Sequence, residues 1–146
     1  MSSEQKSQVR RILLKISGEA LSGDTGFGID PHVLSQTAKA IRDVQKQGVQ
    51  TVLVIGGGNI FRGAALQKAG FDRVTGDQMG MLATIMNGLA MRQELKAQGG
   101  ECVLMSAYGI PSITTQYSAT EGRELLKKGS SLIVAGGDGT PAFSTR

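Results

Sequence analysis

Gly56, Gly57 and Gly58 stand directly behind the apolar run Thr51–Ile55 and directly ahead of Asn59, Ile60, Phe61, Arg62 and Gly63. A strand that ends in glycines and turns into a helix gathers backbone N–H groups with no Cβ in the way. That geometry suits an anionic oxygen, a phosphate above all. The run contains no G-x-x-x-x-G-K-[ST], so it is not a Walker A loop. Its spacing is not G-x-G-x-x-G either, so a dinucleotide fingerprint is not supported. A tight strand-to-helix turn that holds no ligand is the competing reading of the same residues.

The elements that must position this loop follow from the pattern around it. Residues 1–8 are polar and read as a disordered tail, leaving 9–146 as one domain. Val9–Ser17 carries Ile12, Leu13, Leu14 and Ile16 and reads as a first strand, ended by Gly18 and Glu19. A glycine-rich loop follows over 22–28. Asp30 then caps Pro31 at a first helical position. Val33, Leu34, Ala38, Ile41 and Val44 recur at helical spacing up to Gln47, and Gly48 supplies a stop. Thr51–Ile55 is the second strand. A short helix is expected near Ile60–Ala69, and a longer one from a cap at Asp77 to about Gln98. Glu101–Met105 is the third strand, Ser118–Lys128 a further helix, and Ser131–Ala135 a fourth strand ending in Gly136, Gly137, Asp138 and Gly139.

Strands alternating with helices imply an α/β fold with a parallel sheet and helices on both faces. Ligands on such sheets bind at the carboxyl ends of the strands. The glycine-rich loops after Ser17, Ile55 and Ala135 all lie at that end, which strengthens the phosphate reading. Glycine is 21 of 146 residues, about twice average usage. The excess sits at the ends of apolar runs, so it signals tight loops and not disorder.

The net charge is +4, without a basic stripe interleaved with aromatics and without Trp. Nucleic acid is therefore not the expected partner, whereas anionic small molecules suit the balance. Cys102 is the single cysteine. It cannot form an intramolecular disulfide, has no companion metal ligands, and is expected as a buried thiol. The lone His32 reads as a surface helix residue. No signal peptide or membrane span is present, so the cytoplasm is the expected compartment.

The helix expected over 77–98 is apolar on nearly every side, through Met79, Met81, Leu82, Ala83, Ile85, Met86, Leu89, Ala90, Met91 and Leu95. One face is expected to pack on the sheet and the other to meet a second copy of the chain.

Three motifs, in order, resemble one family. They are Leu14-Lys15-Ile16-Ser17-Gly18-Glu19-Ala20-Leu21, Gly56-Gly57-Gly58-Asn59-Ile60-Phe61-Arg62-Gly63 and Gly76-Asp77-Gln78-Met79-Gly80-Met81, with Met86-Asn87-Gly88-Leu89-Ala90-Met91-Arg92 behind them. The chain from Arg11 to Thr145 resembles the bacterial uridylate kinases of the amino-acid kinase fold. The resemblance implies a three-layer α/β/α sandwich with its C-terminal part absent, and transfer of the γ-phosphoryl of ATP to UMP with Mg²⁺ in pyrimidine nucleotide synthesis. It implies GTP as activator, UTP as inhibitor, and dimers that build a hexamer.

Residue by residue, the resemblance sets Lys15, Ile16, Ser17 and Gly18 against the ATP phosphates, with Gly58 and Arg62 at the transferring phosphoryl from the ATP side. Gly57 and Asp77 are implied to hold UMP, with Asp138, Gly139, Thr140, Pro141, Ala142, Phe143, Ser144 and Thr145 wrapping it. Gly23, Asp24, Thr25, Gly26, Phe27 and Gly28 match the segment tied to GTP. Lys15 and Arg62 are the expected catalytic pair: a point charge at a strand's end, and a planar fork able to grip a phosphoryl bidentately. No metal ligand is assigned. Two departures mark the C-terminus. Arg146 stands where the family carries Asp, and Ala142 replaces a usual aromatic. Together with the short length they imply a chain impaired in transfer, or one that binds UMP or phosphate without catalysis.

Overall fold

The computed structural model describes residues 10–136. The strands are β1 (Arg11–Ile16), β2 (Gln50–Ile55), β3 (Cys102–Ser106), β4 (Thr115–Gln116) and β5 (Ser131–Ala135). The helices are α1 (Pro31–Gln45), α2 (Gly63–Lys68), α3 (Arg73–Ala97) and α4 (Ala119–Lys127). The strands form one sheet in the order β1-β2-β5-β3-β4, and every pairing is parallel.

Two helix starts carry a side-chain cap. The Asp30 carboxylate accepts from His32 N at 2.9 Å and Val33 N at 3.3 Å, and Pro31 follows it. Ser118 Oγ accepts from Glu121 N at 3.2 Å to open α4. Leu34, Ala38 and Ile41 of α1 are buried, the two larger side chains worth about 1.5–3 kcal/mol each. They join Ile85, Met91 and Leu95 of α3 against Leu53, Ile55, Leu104 and Ile133 of the sheet. On the other face Leu126, with Leu125, packs on Val52, Val54, Leu132 and Val134. Helices thus cover both faces, which gives the expected three layers. Beside α4 a smaller cavity of about 250 Å³ opens, lined in part by Arg11, Tyr117 and Arg123.

Three expectations are corrected. The long helix begins at Arg73, a turn before Asp77, with Asp72 at the cap position. Thr75 Oγ1 donates to the Asp72 carboxylate at 3.5 Å, and that carboxylate caps no backbone N–H. The helix after β2 begins at Gly63, since Ile60 and Phe61 are held in a turn by the Gly57 carbonyl at 2.9 and 3.0 Å. The strand β4 has no sequence counterpart because it spans only Thr115 and Gln116, too short for any periodicity.

Cys102 and His32 lie as expected, buried and exposed respectively. Burial pushes the Cys102 thiol above its ordinary pKa, against a smaller opposing effect of Ser131. Burial of this kind holds a thiol protonated, the form that is a poor nucleophile. No helix among the described residues is long and apolar enough to cross a membrane. The expected tail over 1–8, and the expected UMP loop over 138–145, lie outside the described residues.

Candidate functional site

The strand order makes β1, β2 and β5 neighbours, so their carboxyl ends bring the glycine-rich segments together. Gly56 N donates to Ile16 O at 2.8 Å, continuing the β1–β2 ladder past the last strand residues. A Cβ on Gly18 would collide with Asn59 Oδ1 and would lie 2.7 Å from Gly58 N. A Cβ on Gly57 would lie 2.8 Å from Ala83 Cβ and 3.1 Å from Thr84 N, both on α3. Glycine is required at these positions by close backbone approach. The first loop packs closely on the second, and the second on α3, at these glycines.

Charge gathers at Gly58. The Glu19 carboxylate lies where a Gly58 Cβ would be, with Oε2 2.6 Å from that position. Arg62 reaches back over the same residue. Its Nε donates to Gly58 O at 3.0 Å, and a terminal nitrogen sits 3.4 Å from Glu19 Oε2. Both side chains are largely exposed, so the pair adds little stability. It places a guanidinium and a carboxylate on the loop's open side.

Next to the loop a cleft of about 870 Å³ opens, within the size range of ligand pockets. Phe61, Asp77, Met81, Thr84, Tyr108 and Gly136 line part of it. Gly76 and Gly80, both inside α3, line it too. Glycine inside a helix costs about 1 kcal/mol relative to Ala. A Gly76 Cβ would meet nothing within 4 Å among the described residues, and a Gly80 Cβ only Phe61 Cδ2 at 3.9 Å. Packing does not require these glycines, and their effect is to leave helix backbone bare to the cleft. Thr84 bridges the cleft floor, its Oγ1 donating to Met81 O at 2.6 Å and accepting from Gly136 N at 2.9 Å.

The remaining expected residues fall as follows. Lys15 is exposed near the end of β1, in register with Val54. Its neighbours Leu14 and Ile16 pack into the first core, so strand alternation sends Lys15 to the α4 side. It does not line the cleft. Ser17 Oγ accepts from Ala20 N at 3.2 Å, capping the 3₁₀ turn Gly18–Leu21. Asp77 is exposed and lies 3.9 Å from Arg73. The segment Gly23–Gly28 is built around positive φ at Gly23, Gly26 and Gly28. Its last residue is tied to the glycine loop, Gly28 N donating to Asn59 O at 2.8 Å.

Sequence reasoning missed Glu19, Thr84 and Tyr108. Glu19 was legible only as a strand terminator. Tyr108 sits on a loop fixed by Thr114 and Gln116, whose side chains bind Ile110 N and Gly109 N at 2.8 and 2.9 Å.

Residues 10–144 match the family model of the amino acid kinase family. The chain belongs to that family. Among other amino-acid kinases, it is 52% identical over 145 residues to the uridylate kinases of Colwellia psychrerythraea and Aeromonas salmonicida, covering 99% of this chain and 59% of each relative. Thus it spans less than two thirds of the length of these relatives. The fold superposes on the crystal structure of UMP kinase from Bacillus anthracis with a TM-score of 0.84 and 34% identity, over 90% of this chain and 54% of that one. UMP kinase from Ureaplasma parvum gives a TM-score of 0.84 at 33% identity, over 94% and 58% of the two chains.

Proposed function

We propose that this amino-acid kinase chain carries the UMP-binding part of a UMP kinase, which transfers the γ-phosphoryl of ATP to UMP in pyrimidine nucleotide synthesis in the cytoplasm. The observation that carries the reading is the carboxyl-edge arrangement. Phe61 and Gly63, which flank Arg62 just beyond the glycine loop, line a cleft whose wall includes Asp77, while the loop and Arg62 lie beside that lining and not in it. The names of the relatives at 52% identity support the same substrate.

The chemistry follows from the residue types. Phosphoryl transfer asks for positioning and charge neutralisation more than for covalent catalysis. Backbone N–H groups of the Gly56–Gly58 loop would face the phosphate of UMP. Arg62, already over Gly58, would swing from Glu19 to the transferring phosphoryl. Asp77 would accept from the ribose hydroxyls. Lys15, Ile16, Ser17 and Gly18 would face the ATP phosphates, with Lys15 supplying a compact positive charge. The segment 138–145 would close over UMP. Among the described residues no three His, Cys, Asp or Glu gather into a metal cage. A Mg²⁺ ion held through nucleotide phosphates needs only one or two carboxylates, and Glu19, which lies against Gly58, would supply one. Such an ion, when bound, would neutralise phosphate charge.

Regulation and assembly complete the reading. GTP would activate through Gly23–Gly28, with UTP as inhibitor. The exposed Val74, Leu82 and Met86 of α3 would be covered by a second copy, forming dimers that build a hexamer.

Calorimetric titration tests the substrate. UMP should release binding heat from the folded chain, and CMP and AMP should bind more weakly. No heat with UMP at millimolar concentration would refute the reading. Binding without transfer is a second reading, favoured by Arg146 in place of the family's Asp. A coupled assay for UDP separates the two, and UDP formation abolished by Lys15→Ala would exclude the binding-only reading.

A further inference from the structure

Two asparagines, Asn59 on the glycine loop and Asn87 on α3, are 1% and 0% exposed. Their amides face each other. Asn59 Nδ2 donates to Asn87 Oδ1 at 3.1 Å, and Asn87 Nδ2 donates to Asn59 Oδ1 at 2.7 Å. Each nitrogen has a second proton, and each finds a backbone carbonyl. Asn87 Nδ2 donates to Gly56 O at 2.7 Å, and Asn59 Nδ2 donates to Gly28 O at 2.9 Å. All four amide protons are used. The two carbonyls fix the orientation of both amides, because a flipped amide would set oxygen against oxygen.

Apolar side chains of the same shape could replace the amide–amide contact, but they would leave Gly56 O and Gly28 O without these donors. What they could not do is hold two carbonyls at a set distance from each other. The pair fastens three segments at one point: the end of Gly23–Gly28, the glycine loop at Gly56, and α3. Neither asparagine lines the cleft, so any influence on a ligand runs through the backbone.

We infer that Asn59 and Asn87 are positioning residues for the anion-binding loop. They set the direction of the Gly57 and Gly58 N–H groups, and they tie that direction to the position of the Gly23–Gly28 segment. This rests on the reading of the Gly56–Gly58 loop as the phosphate site. A buried network that is fully satisfied specifies one geometry. Removing one member leaves Gly56 O and an Asn59 N–H without partners.

The test compares Asn87→Leu, Asn87→Asp and Leu126→Val, the last a core change under α4 that touches neither asparagine. Asn87→Leu should weaken UMP binding at least tenfold in a sample that circular dichroism shows to be folded. It should also speed hydrogen exchange at the Gly28 and Gly56 amides at least tenfold with no ligand present. Leu126→Val should change neither. Asn87→Asp should resemble Asn87→Leu when ionised. Relative to wild type at each pH, it should regain UMP affinity on acidification, as the protonated acid again donates to Gly56 O. Asn87→Leu should show no such recovery. Wild-type affinity and exchange in Asn87→Leu would overturn the inference. Should Asn87→Leu fail to fold, the Asn87→Asp pH profile decides: recovery supports the inference and a flat profile overturns it. Should the wild-type chain bind no UMP, the UMP reading fails, and the exchange rates alone judge the pair. Acceleration then supports it, and wild-type rates overturn it.

Discussion

Gly57→Ala is the sharpest perturbation available at the loop. The added Cβ would lie 2.8 Å from Ala83 Cβ, 3.1 Å from Thr84 N and 3.2 Å from Ala83 C. Carbon atoms rest about 3.5–4.0 Å apart, so loop and helix must separate by roughly 0.5–1 Å. Two of the three neighbours are backbone, which cannot rotate aside. Overpacking of this kind costs about 1–3 kcal/mol, equivalent to a fall of ~2–12 °C in Tm. The loop cannot shift alone, because Gly57 O accepts from Ile60 N and Phe61 N and Gly56 N is held by Ile16 O. A displacement near 1 Å in a positioned group can cost ~10²-fold in function. Gly57→Ala should therefore melt lower and bind UMP at least tenfold more weakly. Thermal unfolding by circular dichroism and calorimetric titration read the two effects. A variant with wild-type Tm and wild-type UMP affinity would refute the argument that the loop's position is set by contact with α3.

Three further outcomes follow from the same geometry. Gly80→Ala should raise stability by up to about 1 kcal/mol, as expected of Ala over Gly inside a helix, yet weaken UMP binding by narrowing the cleft; a gain in Tm with no change in affinity would show that the bare helix face is not used. Glu19→Gln should tighten binding of inorganic phosphate about threefold, as removing a like charge at ~6 Å in water is worth ~0.7 kcal/mol; unchanged or weaker phosphate binding would show that Glu19 does not compete at Gly58. Met86, 52% exposed in the single chain, should tolerate Glu with a stability change within about 0.5 kcal/mol if nothing covers it; a second copy over that face would make the charge cost a few kcal/mol in the assembly, and light scattering should then show dissociation.

The sheet was legible because β2 and β5 are continuous apolar runs buried on both faces, and because each ends in glycine. Their neighbourhood with β1 was not legible, since strand order is a long-range property. Convergence of the loops was inferred from parallel topology alone, and the pairing of Gly56 with Ile16 supplies its physical form. Asp77 resembles a helix cap because a carboxylate follows a glycine there, whereas the helix starts one turn earlier behind Asp72, whose side chain makes no cap bond. The Met-rich helix was read correctly as packing one face on the sheet. Its one deeply buried polar residue, Asn87, carried no periodic signal, because its partner is 28 residues away in the chain. Gly76 and Gly80 were legible only through the family motif, since their open surroundings are visible only in three dimensions.

UMP is proposed to bind at the carboxyl edge of the sheet, between the glycine loop and α3. A titration of the ¹⁵N-labelled chain with UMP, followed by amide chemical shifts, tests it most directly. The largest shifts should fall on Gly57, Gly58, the stretch from Gly76 to Thr84, and Gly136, and should saturate together. Shifts centred instead on Tyr117, Gly122 and Arg123 beside the smaller cavity, or no shifts at millimolar UMP in a folded sample, would contradict the account.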